Sequence, residues 1–271
     1  MTKRHADYSK TAALIGALIL VLAGNLSAST ITFATFQELA NGGNLFEFTN
    51  SPLNNHPTGG TLRTLNAQAQ PVDFSYLGVS SLPVELQGDQ LATISLYAPT
   101  TQSVQSGLGL ISQPLNSIVI AFTRVTAYKG FSNLLTVTVA PGDLSNGLLG
   151  TKKGVTANLT ADTTVGDTVL DQITYSSDFL TFSPGEEADL SLAFSSASPC
   201  FTNATTVTGA CVTSGLAMSF LHSLTMAGSG SFAAVPSPIS VFAAPEPDAA
   251  FFLFTGLAAV LGFRSWVRRN R

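Results

Sequence analysis

The sequence predicts an all-β fold, an antiparallel β-sandwich or jelly roll, on three observations. Apolar residues alternate with polar ones at period two almost wherever they cluster. Gly, Pro and Asn punctuate these runs at short intervals. No helical periodicity longer than a turn or two occurs between residues 29 and 244. Short alternating runs separated by turn signals fit a sandwich and not a parallel α/β sheet.

Taken in order, Ile31 to Phe36 is the first such run, and in the second Phe46 and Phe48 share one face with Glu47 on the other. Asn41-Gly42-Gly43 lies between them and predicts a hairpin. Residues 50–60 (NSPLNNHPTGG) have the composition of a loop. Leu62 to Leu65, Val72 to Leu77 and Leu91 to Ala98 are the next expected strands. The most apolar strand is Ser117 to Val125, where Ile118, Ile120 and Phe122 point one way and Val119 and Ala121 the other, a pattern expected of a strand buried on both faces. Leu134 to Val139 follows, and the Gly, Asn and Thr-rich stretch 143–166 reads as a surface excursion with one strand. Val169 to Tyr175, Phe179 to Phe182, Ala188 to Phe194, Leu216 to Leu224 and Gly230 to Val235 complete the set, with Leu190, Leu192 and Phe194 inward. The ectodomain is expected over residues 29–235, with an extended Pro/Ser linker at 236–244.

The N-terminus reads as a targeting segment. Lys3, Arg4 and Lys10 precede an apolar run from Thr11 to Ala23, a charged n-region and an h-region of signal-peptide length. Cleavage is expected after Ala28, giving a signal peptide at 1–28; an uncleaved anchor is the alternative, and 13 apolar residues are short for it. Between Ser29 and Pro247, five Lys or Arg face 14 Asp or Glu, a net charge of −9. Such an exterior repels phosphate backbones and disfavours nucleic acid as a partner.

Cys200 and Cys211 are the only cysteines, and in an exported protein they predict a structural disulfide. A thiolate metal site is the alternative, and two thiolates without a nearby His are half of one. Catalytic signals are sparse: His56 and His222 stand apart, and no Gly-x-Ser-x-Gly elbow or HExxH occurs. Ser106-Gly107-Leu-Gly109 and Gly228-Ser-Gly230 read as turns or strand ends. A nucleophile needs a positioned base and an oxyanion partner, and neither is evident, so a non-catalytic protein without cofactor is expected. Asp162, Asp167 and Asp171, and then Glu186, Glu187 and Asp189, raise calcium, but their spacing matches no EF-hand and solvated loop charge is the plainer reading. Tyr76, Tyr97, Tyr128, Tyr175 and Trp266 raise sugar stacking, but Trp266 belongs to the C-terminal tail and scattered tyrosines fit half-buried sheet positions.

The C-terminus has three parts in order: Pro245-Glu246-Pro247, an apolar run from Ala249 to Phe263, and a basic end with Arg264, Arg268, Arg269 and Arg271. The run of 15 residues is short for a bilayer helix of about 20, but Trp266 and Val267 extend it and the arginines can snorkel. The basic cluster is expected to keep this end cytoplasmic as a stop-transfer signal. Motif, helix and basic end together resemble the PEP-CTERM sorting signal of Gram-negative bacteria, over residues 245–271. The resemblance implies export, an inner-membrane-anchored precursor, recognition by an exosortase, and delivery to the cell surface or beyond it. It also implies a role in the extracellular polysaccharide layer or biofilm. A carbohydrate-binding or glycan-hydrolysing jelly roll using the same route is the second reading. The plain alternative for the tail is a single-pass anchor behind a proline-rich linker.

Two prolines around Glu246 fix their φ angles and remove two backbone donors, so the tripeptide stays extended and presents Glu246 at the membrane face. Glu246→Ala, or deletion of Pro245 to Pro247, is therefore expected to leave an unprocessed full-length form in the inner membrane of an exosortase-bearing host. Comparing mass and membrane fraction with wild type checks this; an unchanged product would reduce the tail to a plain anchor.

Overall fold

A computed structural model describes residues 30–40, 42–53, 56–79, 82–140, 147–163, 173–183, 186–209 and 211–239. The expected signal-peptide helix, Pro245-Glu246-Pro247, the apolar helix and the terminal arginines lie outside these residues. Among the described residues no helix is long and apolar enough to cross a membrane. The strands fall in one compact unit beginning at Ile31.

The fold is all-β and antiparallel. One sheet runs in spatial order β12 (Ile173–Ser176), β9 (Phe131–Val139), β8 (Ile118–Tyr128), β5 (Gly88–Thr100), β3 (His56–Thr64), β2 (Phe46–Leu53), β17 (Leu224–Ala234), β14 (Ala188–Ser198), β11 (Ala157–Thr163), β10 (Leu148–Thr151), β7 (Leu110–Gln113) and β6 (Gln105–Gly107). Between β17 and β5, β1 (Ile31–Glu38) and β4 (Gln70–Tyr76) also pair with each other. Two small sheets join β13 (Leu180–Phe182) to β18 (Pro236–Pro238) and β15 (Ala204–Thr208) to β16 (Val212–Ala217). The described residues hold two 3-10 turns, Leu65–Ala67 and Val84–Leu86, and no α-helix.

Two rows of this sheet are interrupted strands. β1 pairs with Gly230 to Ala234 and β2 with Leu224 to Met226, both antiparallel to β17, so they lie end to end along one of its edges. In the same way β4 and β3 lie end to end along β5. The expected hairpin between residues 31–36 and 44–49 is thus corrected: the chain around Gly42 and Gly43 steps aside and resumes in the same direction. The jogs are tied together, with Leu45 N–H donating to Met226 O and Leu65 N–H to Leu45 O, both at 2.8 Å.

The sheet folds over, giving a sandwich-like arrangement. Phe122 on β8 meets Phe232 on β17 with ring centroids 5.4 Å apart, and Phe36 on β1 at 5.1 Å. Tyr175 on β12 reaches Phe232 at 6.3 Å and Phe33 at 5.3 Å. Ile118, Ile120, Phe122, Leu190, Leu192, Phe194, Phe46 and Phe48 all enter one core, as their alternation requires. β17 makes room for it. A Cβ on Gly230 would stand 2.6 Å from Leu192 Cδ2 and 2.6 Å from Phe36 Cε1, and one on Gly228 2.9 Å from Phe46 Cε2.

Several sequence expectations are corrected. Gly228-Ser-Gly230 lies inside a strand, because the core rings occupy the space its side chains would take. Val119 is 41% exposed, so β8 buries one face only. Residues 50–53 and 56–60 belong to β2 and β3, which pair antiparallel with a register shift at Ser51/Pro52. The stretch 143–166 supplies two strands, β10 and β11, whose Leu148 and Leu159 reach the core. Residues 218–223 are not strand. Pro236–Pro238, expected to open the linker, pairs with β13 in a two-stranded edge where a missing N–H is tolerated.

Gly230→Ala is expected to destabilise the fold by about 1–3 kcal/mol through overpacking, and Phe122→Ala by about 3–5 kcal/mol through a cavity. Urea unfolding of the purified chain measures both.

Candidate functional site

The outward residues of the same strands build a polar surface. Register partners run Thr160 on β11, Ser191 on β14, Ser231 on β17, Thr35 on β1, Ser75 on β4 and Asp89 on β5. This ladder crosses six strands without an apolar member. The row beside it runs Leu159, Leu192, Gly230, Phe36, Phe74 and Gln90, and turns inward. Because successive residues of a strand face opposite ways, the row that fills the core and the row that meets solvent are set by one register.

Over the middle of the ladder lies a groove of about 530 Å³, lined by Thr35, Gln37, Asp73, Ser75, Leu77, Asp89, Ser191, Ser229 and Ser231. Ser75 Oγ donates to Asp89 Oδ1. Asp73 faces Leu91 across β4 and β5 while Ser75 faces Asp89, so the two carboxylates are diagonal neighbours with β carbons about 7 Å apart. No single run marked this groove in the sequence: its members come one or two per strand, and only the register assembles them.

Cys200 and Cys211 are paired at a Cα separation of 5.8 Å. Cys200 is fully buried. The cysteine loop is fastened by Phe201 N–H to Gly154 O at 3.0 Å and Lys153 N–H to Phe201 O at 2.7 Å. Neither β15 nor β16 holds a buried residue. A lone two-stranded hairpin is marginal in water, so the bridge and these backbone bonds hold it to the domain. Gln113 is a buried polar clip that the sequence reading missed. Its Nε2 donates to Gln102 O at 2.8 Å and Thr100 Oγ1 at 3.2 Å, and its Oε1 accepts from Leu221 N–H at 3.2 Å.

The tyrosines divide. Tyr97 is 56% exposed on β5, and Tyr128 is half-buried with Lys129 Nζ 5.2 Å from its ring centroid. Tyr76 and Tyr175 are core residues. Tyr76 Oη donates to Leu134 O, and Tyr175 Oη donates to Asp189 O across the folded sheet. Burial pushes both phenols well above the ordinary tyrosine value, with nearby Asp178 and Asp189 adding to it respectively.

His222 sits in the loop before β17; its Nδ1 is buried without a partner and its backbone N–H donates to Thr202 O at 2.7 Å. His56 lies on β3. Asp162 on β11 is the register partner of Asp189 on β14, Glu186 and Glu187 precede β14, and Asp167 and Asp171 lie outside the described residues. Among the described residues no three His, Cys, Asp or Glu side chains gather as a metal site. No known protein family, curated protein or solved structure matches the chain.

The buried phenols give a pH dependence. Their protonated form is favoured in the fold, so their contribution is complete below the unfolded value of 10.0 and is lost as pH rises above it, where the unfolded chain releases its protons first. Stability is expected to fall from about pH 10 upward, and Tyr175→Phe to flatten that fall in urea titrations.

Proposed function

We propose that the chain is an exported, non-catalytic cell-surface or matrix protein whose β domain associates with extracellular polysaccharide through the outward hydroxyl ladder. The export machinery carries it, an exosortase processes it at Pro245-Glu246-Pro247, and the C-terminal helix holds the precursor in the inner membrane until then. The observation that carries the reading is the six-strand polar ladder and its groove. Hydroxyl groups both donate and accept, as sugar hydroxyls do. The sheet beneath them is fixed by the core, so these groups lose little freedom on binding. The folded sheet is also what supports a jelly-roll form of the sandwich.

A second reading has one observation in its favour. Asp73 and Asp89 are diagonal neighbours on one face of the sheet, and glycosidases work with a pair of carboxyl groups. The two readings part on a single experiment, in which the full-length chain in detergent is incubated with exopolysaccharide extracted from an exosortase-bearing host. Co-sedimentation without release of reducing ends is expected, with at least a tenfold loss of binding on Ser231→Tyr, which fills the groove from its middle. Reducing ends that appear with wild type and vanish with Asp73→Asn would replace the matrix role with hydrolysis.

A further inference from the structure

The ladder and groove have a chemistry narrower than polysaccharide in general. Strands lie about 4.8 Å apart, so six rows span about 24 Å perpendicular to the chain direction. A pyranose is about as wide as one strand spacing. A linear glycan laid across the strands therefore meets about one ladder group per sugar, from Thr160 to Asp89.

Two features of the lining select among glycans. First, among the described residues the one aromatic in the lining is Phe36, a residue 3% exposed with its ring packed into the core. Stacking on an exposed ring, the usual source of affinity for an uncharged pyranose, is not on offer there. Second, among the described residues that line the groove the ionic groups are Asp73 and Asp89, with no Lys, Arg or His. A carboxylate-bearing or sulfated chain meets like charge. A protonated amine meets two carboxylates, and charge-assisted hydrogen bonds are about twice as strong as neutral ones. The Ser75 hydroxyl holds Asp89 through Oδ1 and leaves the other oxygen to accept.

We infer that the groove binds a glycan containing free amino sugars, with the chain crossing the strands and its ammonium groups on Asp73 and Asp89. This rests on the reading above that the ladder faces polysaccharide.

The test uses the full-length chain in detergent and three hexasaccharides: glucosamine, N-acetylglucosamine, which keeps the backbone and loses the charge, and galacturonate. The glucosamine hexamer should bind at least tenfold more tightly than the other two. That preference should weaken with salt and disappear at a pH where the amines are neutral. The double variant Asp73→Asn, Asp89→Asn should abolish the preference, while Glu186→Gln, Glu187→Gln, an equal loss of acidic charge outside the groove, should leave it in place. Circular dichroism confirms that each variant keeps the wild-type β spectrum. Equal affinity for the first two oligomers, a preference for galacturonate, or the same loss from both double variants would overturn the amino-sugar assignment and leave the polysaccharide reading standing. Failure of all three oligomers and of the extracted exopolysaccharide to bind would remove that reading as well.

Discussion

Aromatic rings pressed onto the bare backbone of β17 are the contact on which the rest of the domain depends. Phe36 and Leu192 close over Gly230 from the two neighbouring rows, and Phe46 closes over Gly228. A strand of glycines forfeits side-chain burial and costs backbone entropy. Here that cost is offset because the rings of β1, β2 and β14 reach the middle of a sheet that is folding over itself. Phe232, two residues on, then touches Phe122 from the opposite wing. The same alternation that sends Gly228, Gly230 and Phe232 inward sends Ser229 and Ser231 outward, so the groove is the reverse side of the packing constraint.

The two interrupted rows extend this logic. An uninterrupted row from Ile31 to Leu53 would stay on one surface, and a sheet this wide would have to curl by twist alone. Breaking both middle rows at the same level, with Leu45 and Leu65 bonded across the breaks, lets the halves depart from one line without orphaning backbone groups. The glycines near residue 42 therefore look like a hairpin turn in sequence and act as an offset in space. What decides between the two is β17, about 180 residues away, which offers one edge to both β1 and β2.

Period-two alternation made the core legible wherever a strand packs large residues on one face, as at Phe46 and Phe48, Ile118 to Phe122 and Leu190 to Phe194. It failed where the inward side chain is absent or polar. Gly228 and Gly230 carry no hydrophobic signal, and Gln113 is fully buried yet reads as surface until its hydrogen-bond partners are known. β10 and β11 present one large apolar residue each to the core amid glycine, asparagine and threonine, too little to mark a strand. The ladder was beyond reach for a different reason. Its six residues are individually ordinary, spread from Thr35 to Ser231, and adjacent only through five successive registers that depend on the fold of the whole sheet.

The fate of the tyrosines links core to surface. Burying a phenol is costly unless its hydroxyl finds an acceptor, and Tyr76 and Tyr175 find carbonyls on β9 and β14. The Tyr175 bond crosses from one wing to the other, so it fixes how the wings face each other as well as satisfying the ring. Two of the four tyrosines that the sequence raised as sugar platforms are thereby spent inside, and Tyr97, eight residues from Asp89 along β5, stands at the far end of that strand. The outer face over β17 is left with hydroxyls, an amide and two carboxylates, beside Leu77 and Ala193. A surface of that kind discriminates by hydrogen-bond pattern and charge, not by apolar area, and its members are small enough to be exchanged without disturbing the rings on the other side of the sheet.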